Sequence, residues 1–187
     1  TINSDMSIDV HGDVSFEIMD EPVLKEIPLN FNEVEGSFDC SSNDLKSLKG
    51  CPKIVHAAFL CNDNELISLK ESPTYVTEYF DCSNNSLDSL KGIPSNIKNI
   101  NFQGNDIRTF DYFPEIRYSI FMLGNPLYAL WSLFDNKNHI DYFNELDIIQ
   151  NNGKDVILDR LNYFLADIGK QEISKNDKFL NENYNVI

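Results

Sequence analysis

The sequence predicts a solenoid: short parallel β-strands on a concave face, mostly extended or 3₁₀ returns on the convex side, and a small α-helical C-terminal cap. Three observations carry this expectation. The segment FDCSSNDLKSLKGCP from Phe38 recurs as FLCNDNELISLKESP from Phe59 and as FDCSNNSLDSLKGIP from Phe80, a strict 21-residue spacing. A fixed period of that size marks stacked supersecondary units, each burying its neighbour's face. Within each copy apolar residues alternate at period two, as in a strand with one buried side. Beyond Phe134 the apolar period lengthens toward that of an amphipathic helix.

Residues 1–35 read as an acidic N-terminal cap holding one degenerate repeat. Val14, Phe16, Leu24 and Pro28 are expected where Phe38, Cys40, Leu48 and Pro52 stand in the next unit, with Met19 in place of the recurring Asn. The segment carries nine acids against the single base Lys25, which suits a solenoid end whose outer face meets water.

Residues 36–134 read as five repeats, the last two beginning at Ile100 and Ile120 after spacings of 20. Phe38, Phe59, Phe80, Ile100 and Ile120, with Cys40, Cys61, Cys82, Phe102 and Met122, should point inward from the strands. Leu45, Leu66, Leu87, Ile107 and Leu127, then Leu48, Leu69, Leu90, Phe110 and Leu130, should turn inward from the returning segment. Asn43, Asn64, Asn85, Asn105 and Asn125 are expected to stack as a ladder whose amides bond backbone groups where the chain leaves the strand. Pro52, Pro73, Pro94 and Pro114 shape a return too short for a full helix. Cys40, Cys61 and Cys82 occupy a core position that later units fill with Phe102 and Met122, so they read as reduced packing groups and not as a metal or disulfide framework. Cys51 stands alone in a turn.

Residues 135–187 read as the helical cap and a polar tail. Ile140, Phe143, Leu146 and Ile148 or Ile149 mark one helix ended by Asn151, Asn152 and Gly153. Ile157, Leu161, Phe164, Leu165 and Ile168 mark a second, with Gly169 as its C-terminal cap. Trp131, Leu133 and Phe134 offer these stripes a surface, and Phe179, Leu180, Tyr184 and Ile187 are available to dock the tail.

Composition narrows the function. The chain has 187 residues, 42% of them hydrophobic, with 30 acids against 15 bases for a net charge of -15. That is enough apolar material for a core and the wrong sign for binding nucleic acid directly or an anionic membrane. The start TINSDMSIDVHGD lacks a basic stretch followed by an apolar one, so no secretory signal is expected. Tyr118–Phe134 is uncharged over seventeen positions but is broken by Asn125 and Pro126 and falls short of a membrane span. The three histidines have no second ligand at metal-binding spacing, no Gly-rich phosphate loop is present, and no cofactor is expected. Asp39 and Asp81, two repeats apart, are the only carboxylate pair worth weighing for catalysis, and a shallow sheet gives them no pocket. The expectation is a non-enzyme.

What the repeats offer is a concave surface. Its central column reads Ser15, Asp39, Leu60, Asp81, Asn101, Phe121, flanked by Asp13, Ser37, Ala58, Tyr79, Asn99, Ser119 and by Glu17, Ser41, Asn62, Ser83, Gln103, Leu123. Leu60, Tyr79, Phe121 and Leu123 place apolar or aromatic groups where a purely solvated face would be polar, as interface anchors do. With Asp39, Asp81 and Asn101 they form the expected protein-binding site.

The pattern L-x-x-L-x-L-x-x-N-x-L resembles the leucine-rich repeat. In detail, the C-S-x-N core and x-S-L-K-G-x-P return resemble the short-repeat members encoded by large tailed bacteriophages, from which units four and five depart at Phe102 and Met122. That resemblance implies a protein-binding module in the host bacterial cytoplasm that binds, and inhibits, a host protein such as a defence factor. The alternative is an acidic competitor that mimics nucleic acid and occupies a basic groove.

Overall fold

The computed structural model describes residues 1–16, 23–95, 97–115, 118–134 and 136–187. In chain order the strands are β1 Ile8–Val10, β2 Val14–Ser15, β3 Phe31–Val34, β4 Phe38–Asp39, β5 Ile54–Val55, β6 Ala58–Leu60, β7 Tyr75–Val76, β8 Tyr79–Asp81, β9 Asn99–Asn101 and β10 Ser119–Phe121. After them come α1 Leu127–Phe134, a 3₁₀ turn at Lys137–His139, α2 Ile140–Glu145, β11 Ile149–Gln150, β12 Asp155–Val156, α3 Leu158–Asp167, α4 Lys178–Asn181 and β13 Asn185–Val186. Two compact units divide the chain: Thr1–Asp106 with Tyr112–Leu123, and Ile107–Asp111 with Gly124–Ile187.

The first unit is a parallel-strand β-solenoid of about five turns. Its main sheet runs β2-β4-β6-β8-β9-β10, every pair parallel and in repeat register, so that Phe38, Phe59, Phe80, Ile100 and Ile120 align. Phe38, Phe59 and Phe80 are fully buried, as are Cys40, Cys61, Cys82 and Phe102. The phenyl rings follow one another up the core, with centroids 5.8 Å apart from Phe38 to Phe59 and 5.2 Å from Phe59 to Phe80. Each such side chain contributes about 1.5–3 kcal/mol by leaving water.

The returns contain a feature the sequence reading did not anticipate. β1, β3, β5 and β7 form a second parallel sheet, and its inward residues Val34, Val55 and Val76 are fully buried. Two residues, His56 and Ala57, turn the chain from β5 into β6, and Thr77 and Glu78 do the same between β7 and β8. The return itself turns on left-handed residues, Gly50, Glu71, Gly92 and Tyr112. At Gly92 (φ +104°) a Cβ would lie 2.6 Å from the Leu69 carbonyl oxygen, which explains glycine there.

The Asn ladder forms as expected. Asn85 Oδ1 accepts from Leu66 N–H (2.9 Å) in the preceding coil, while its Nδ2 donates to the carbonyls of Cys61 (3.0 Å), Cys82 (3.2 Å) and Ser83 (3.1 Å). Asn64 and Asn105 repeat the arrangement. Ser47, Ser68 and Ser89 accept from the N–H groups of Lys49, Lys70 and Lys91, so the S-L-K tripeptide closes a local turn in each coil.

The first repeat needs a correction. Val14 pairs with Phe38 as expected, but Leu24 N–H donates to Asn43 Oδ1 (2.8 Å) just as Leu45 N–H donates to Asn64 Oδ1 (2.9 Å). Leu24 therefore holds the place of Leu45, not Leu48. Glu33 pairs with Ile54 and Val34 with Val55, so Phe31, not Pro28, stands where Pro52 does. The cause is three extra residues between Phe16 and Leu24 relative to the span from Cys40 to Leu45. Met19 lies outside the described residues.

The second unit gathers an aromatic core. Phe134 stands 5.5 Å from Phe110, 5.6 Å from Phe143 and 5.2 Å from Phe164, ring centre to ring centre. α3 forms with Leu161, Phe164 and Leu165 buried, and Gly169 (φ +74°) ends it as expected. Two expectations fail. The return of the fifth repeat is the helix α1, still with Leu127 and Leu130 buried. The first helix expected after Phe134 stops at Glu145, and Ile149 lies in an antiparallel pair of β11 with β12. Asn151, Asn152 and Gly153, all left-handed, form the turn between those strands and end no helix. Asp147, at φ +49°, has already broken the helical path. The tail docks: β13 extends the small sheet, Leu180 and Tyr184 are buried, and Tyr184 Oη–H donates to the Arg108 carbonyl oxygen at 2.8 Å. Phe179 and Ile187 stay exposed. Among the described residues no helix is long and apolar enough to cross a membrane.

Candidate protein-binding face

Strand register places Ser15, Asp39, Leu60, Asp81, Asn101 and Phe121 in one column across the main sheet. Their neighbours in sequence point into the core, so this column points out of it. Tyr79 sits two residues before Asp81 on β8, in register with Asn99. Phe121 and Leu123 are 46% and 59% exposed, and Leu60 and Tyr79 are half-buried. Glu17, expected in a flanking column, lies outside the described residues.

Three polar members of the column hold the strand ends. Asp39 Oδ1 accepts from the Ser41 backbone N–H (2.9 Å) and Ser41 hydroxyl (2.6 Å). Asp81 Oδ1 makes the same pair with Ser83 (2.9 and 2.6 Å), and Asn101 Oδ1 accepts from Gln103 N–H (3.1 Å). This is an Asx-turn that stops the strand and aims the chain toward the ladder Asn. Asp5 and Ser7 build the same unit. The D-x-S spacing was visible in the sequence and would have revealed this local task.

Asp81 is further enclosed. Its Oδ2 accepts from the Tyr79 hydroxyl (2.9 Å) and from Asn101 Nδ2 (3.1 Å), so the buried carboxylate has four donors around it. Burial, and then the neighbouring Asp81 carboxylate, push the Tyr79 phenol up to about 12. Register puts Leu60 between Asp39 and Asp81, which are thus about 9.6 Å apart across two strand spacings.

The remaining reactive groups are placed elsewhere. All four cysteines are buried free thiols. Burial raises Cys51, Cys61 and Cys82 well above the ordinary thiol range. Cys51, isolated by sequence spacing, lies beside Cys40. His11 meets Glu35 at 2.9 Å and His56 meets Glu33 at 2.7 Å, while the His139 ring lies edge-on to Phe164. Among the described residues no group of three His, Cys, Asp or Glu side chains is placed to hold a metal. A cleft of about 190 Å³ in the second unit is bordered by Asp111, Asn144 and Asp147. Gln150 and Arg160 bond the Asp147 carboxylate and hold its pKa below the usual range.

No protein-family profile matches the chain. No curated protein and no solved structure is significantly similar to it.

Proposed function

We propose that the chain is a leucine-rich repeat protein-binding module, followed in sequence by a helical C-terminal unit, that holds one protein partner on the outer face of the main sheet. The observation that carries this reading is the exposure of Phe121 and Leu123 on a strand face that also presents Leu60. Exposed apolar groups beside hydrogen-bonding Asp and Asn side chains are the composition of a binding surface. The bacteriophage-like wording of the repeats makes the partner a bacterial host protein, met in the host cytoplasm and inhibited by occupation.

Capture of partners from bacterial lysate, quantified by mass spectrometry, tests this reading. The comparison variant is Leu60→Lys with Phe121→Lys, because lysine beside Asp39 and Asp81 is tolerated electrostatically where a third aspartate would not be. One protein enriched by the unaltered chain alone is the expected result. Equal recovery by both removes the sheet face from consideration.

The second reading, a nucleic-acid mimic, draws on the net charge of -15 and the acid-rich first 35 residues. Asp5 is bonded by Ser7, and Asp9 by Asn32 and Asn3, interactions that lower both carboxyl pKa values and keep the charge. The acidic segment stays second because the exposed Phe121 and Leu123 lie on the main sheet and not in it.

A further inference from the structure

Asp39 and Asp81 occupy the same repeat position and make the same Oδ1 bonds to the Ser two residues on. Their second oxygens differ. Asp81 Oδ2 is enclosed by the Tyr79 hydroxyl and Asn101 Nδ2. The residues standing in the equivalent places around Asp39 are Ser37, two positions earlier, and Leu60, one strand over. Leu60 has no donor, and the Ser37 hydroxyl is turned to the Ala58 N–H at 3.4 Å. Among the described residues no hydrogen bond reaches Asp39 Oδ2. Asp39 is half-buried, as is Leu60.

A carboxylate oxygen without a donor from the chain, next to an aliphatic side chain, is the complement of a group that is apolar along its stem and cationic at its tip. The three outward columns, as described, hold no Lys or Arg that could supply the charge internally. We infer that Asp39 and Leu60 together receive one lysine or arginine side chain of the protein partner, its methylenes against Leu60 and its cation at Asp39 Oδ2. The inference rests on the protein-binding reading and specifies its partner: a basic group anchored at Asp39, with apolar contact continuing to Phe121, four strand spacings or about 19 Å away.

The chain supplies its own conservative variant. Asn101 shows that an amide at this position still accepts the i+2 N–H bond, so Asp39→Asn keeps the turn and removes the charge. The probe peptides are acetyl-Leu-Arg-Leu-amide and acetyl-Leu-Gln-Leu-amide, titrated into the ¹⁵N-labelled full chain. The Arg peptide should shift the Ser41 and Leu60 amides, and Asp39→Asn should weaken that response about fivefold, the size an exposed ion pair carries. Asp88→Asn, an exposed acid on the return, should leave it unchanged. The difference between the two peptides should vanish between about 25 mM and 300 mM salt. Shifts spread evenly over the acidic surface, or an equal response from Asp39→Asn, would overturn the inference. Asp39→Asn also enters the lysate capture. A partner retained by it and lost by the Leu60/Phe121 variant sinks the cation site and leaves the protein-binding reading standing.

Discussion

Asn85 shows how much one side chain does in this fold. Its amide closes bonds in two coils at once, its oxygen accepting from Leu66 N–H and its nitrogen donating to three carbonyls. Replacing it with leucine conserves bulk but strands those backbone groups. Asn85→Leu should cost about 2–3 kcal/mol, read as a lowered urea midpoint, because the penalty is for unpaired buried groups and not for lost packing. Tyr79 makes a second prediction at this scale. Its folded pKa lies near 12, above the usual 10, so the folded state holds the phenolic proton more tightly than the unfolded chain. The stabilisation is complete below about pH 10 and is lost as pH rises toward 12. Spectrophotometric titration should find Tyr79 and Tyr142 ionising late. Tyr79→Phe should remove one of them.

At the scale of the element, the difference between what was legible and what was not follows from how often a residue repeats its environment. Phe38, Phe59 and Phe80 state the strand register three times over, and the Asn column states the turn five times, so their positions could be read without coordinates. The second sheet was hidden because each of its strands beyond β3 is two residues long and contributes a single inward valine. The column Val34, Val55, Val76 was present at the same spacing, but Ile54 and Tyr75 stand directly before two of the valines and break any alternation. The misplaced helix end has a different origin. Ile148 and Ile149 fit a helical stripe, yet three left-handed residues follow, a conformation that period counting does not register. On the candidate face, the outward apolar groups were legible by contrast with their columns. The enclosure of Asp81 was not, because it needs Tyr79 and Asn101 to be neighbours across a coil. The cysteine column gives this scale its test. All four thiols are buried away from reagent, and Cys51, Cys61 and Cys82 also offer little thiolate, so all four should react slowly with a thiol reagent in the native protein and at once in denaturant. Fast labelling of any one by the folded chain would contradict its burial.

On the scale of the whole molecule, the second unit is not a contiguous stretch. Ile107–Asp111 belongs to it: Phe110 enters the aromatic core 5.2 Å from Phe143, and Arg108 Nη1 donates to the Asn183 carbonyl oxygen at 2.9 Å. A fragment of residues 124–187 lacks these groups and should show the weak near-ultraviolet dichroism of a loosely packed chain. A fragment of residues 107–187 should regain native-like signal, and equal spectra from the two would argue that the segment is dispensable.

The Asn ladder has one more implication, which concerns ancestry. Because every coil hands its neighbour the same donors and acceptors, residues 59–79 form a cassette whose two ends match each other's partners. Excising it sets Cys40 and Asn43 beside the coil that begins at Phe80 with the ladder's own bonds kept in kind, while Asp81 gives up the Tyr79 hydroxyl, and brings Asp39 and Phe121 closer by about 4.8 Å, one strand spacing. A gene built this way can lengthen or shorten its product by unequal recombination, adjusting the reach of a surface as one adjusts a chain by its links, while the residues at either end of that surface stay as they are.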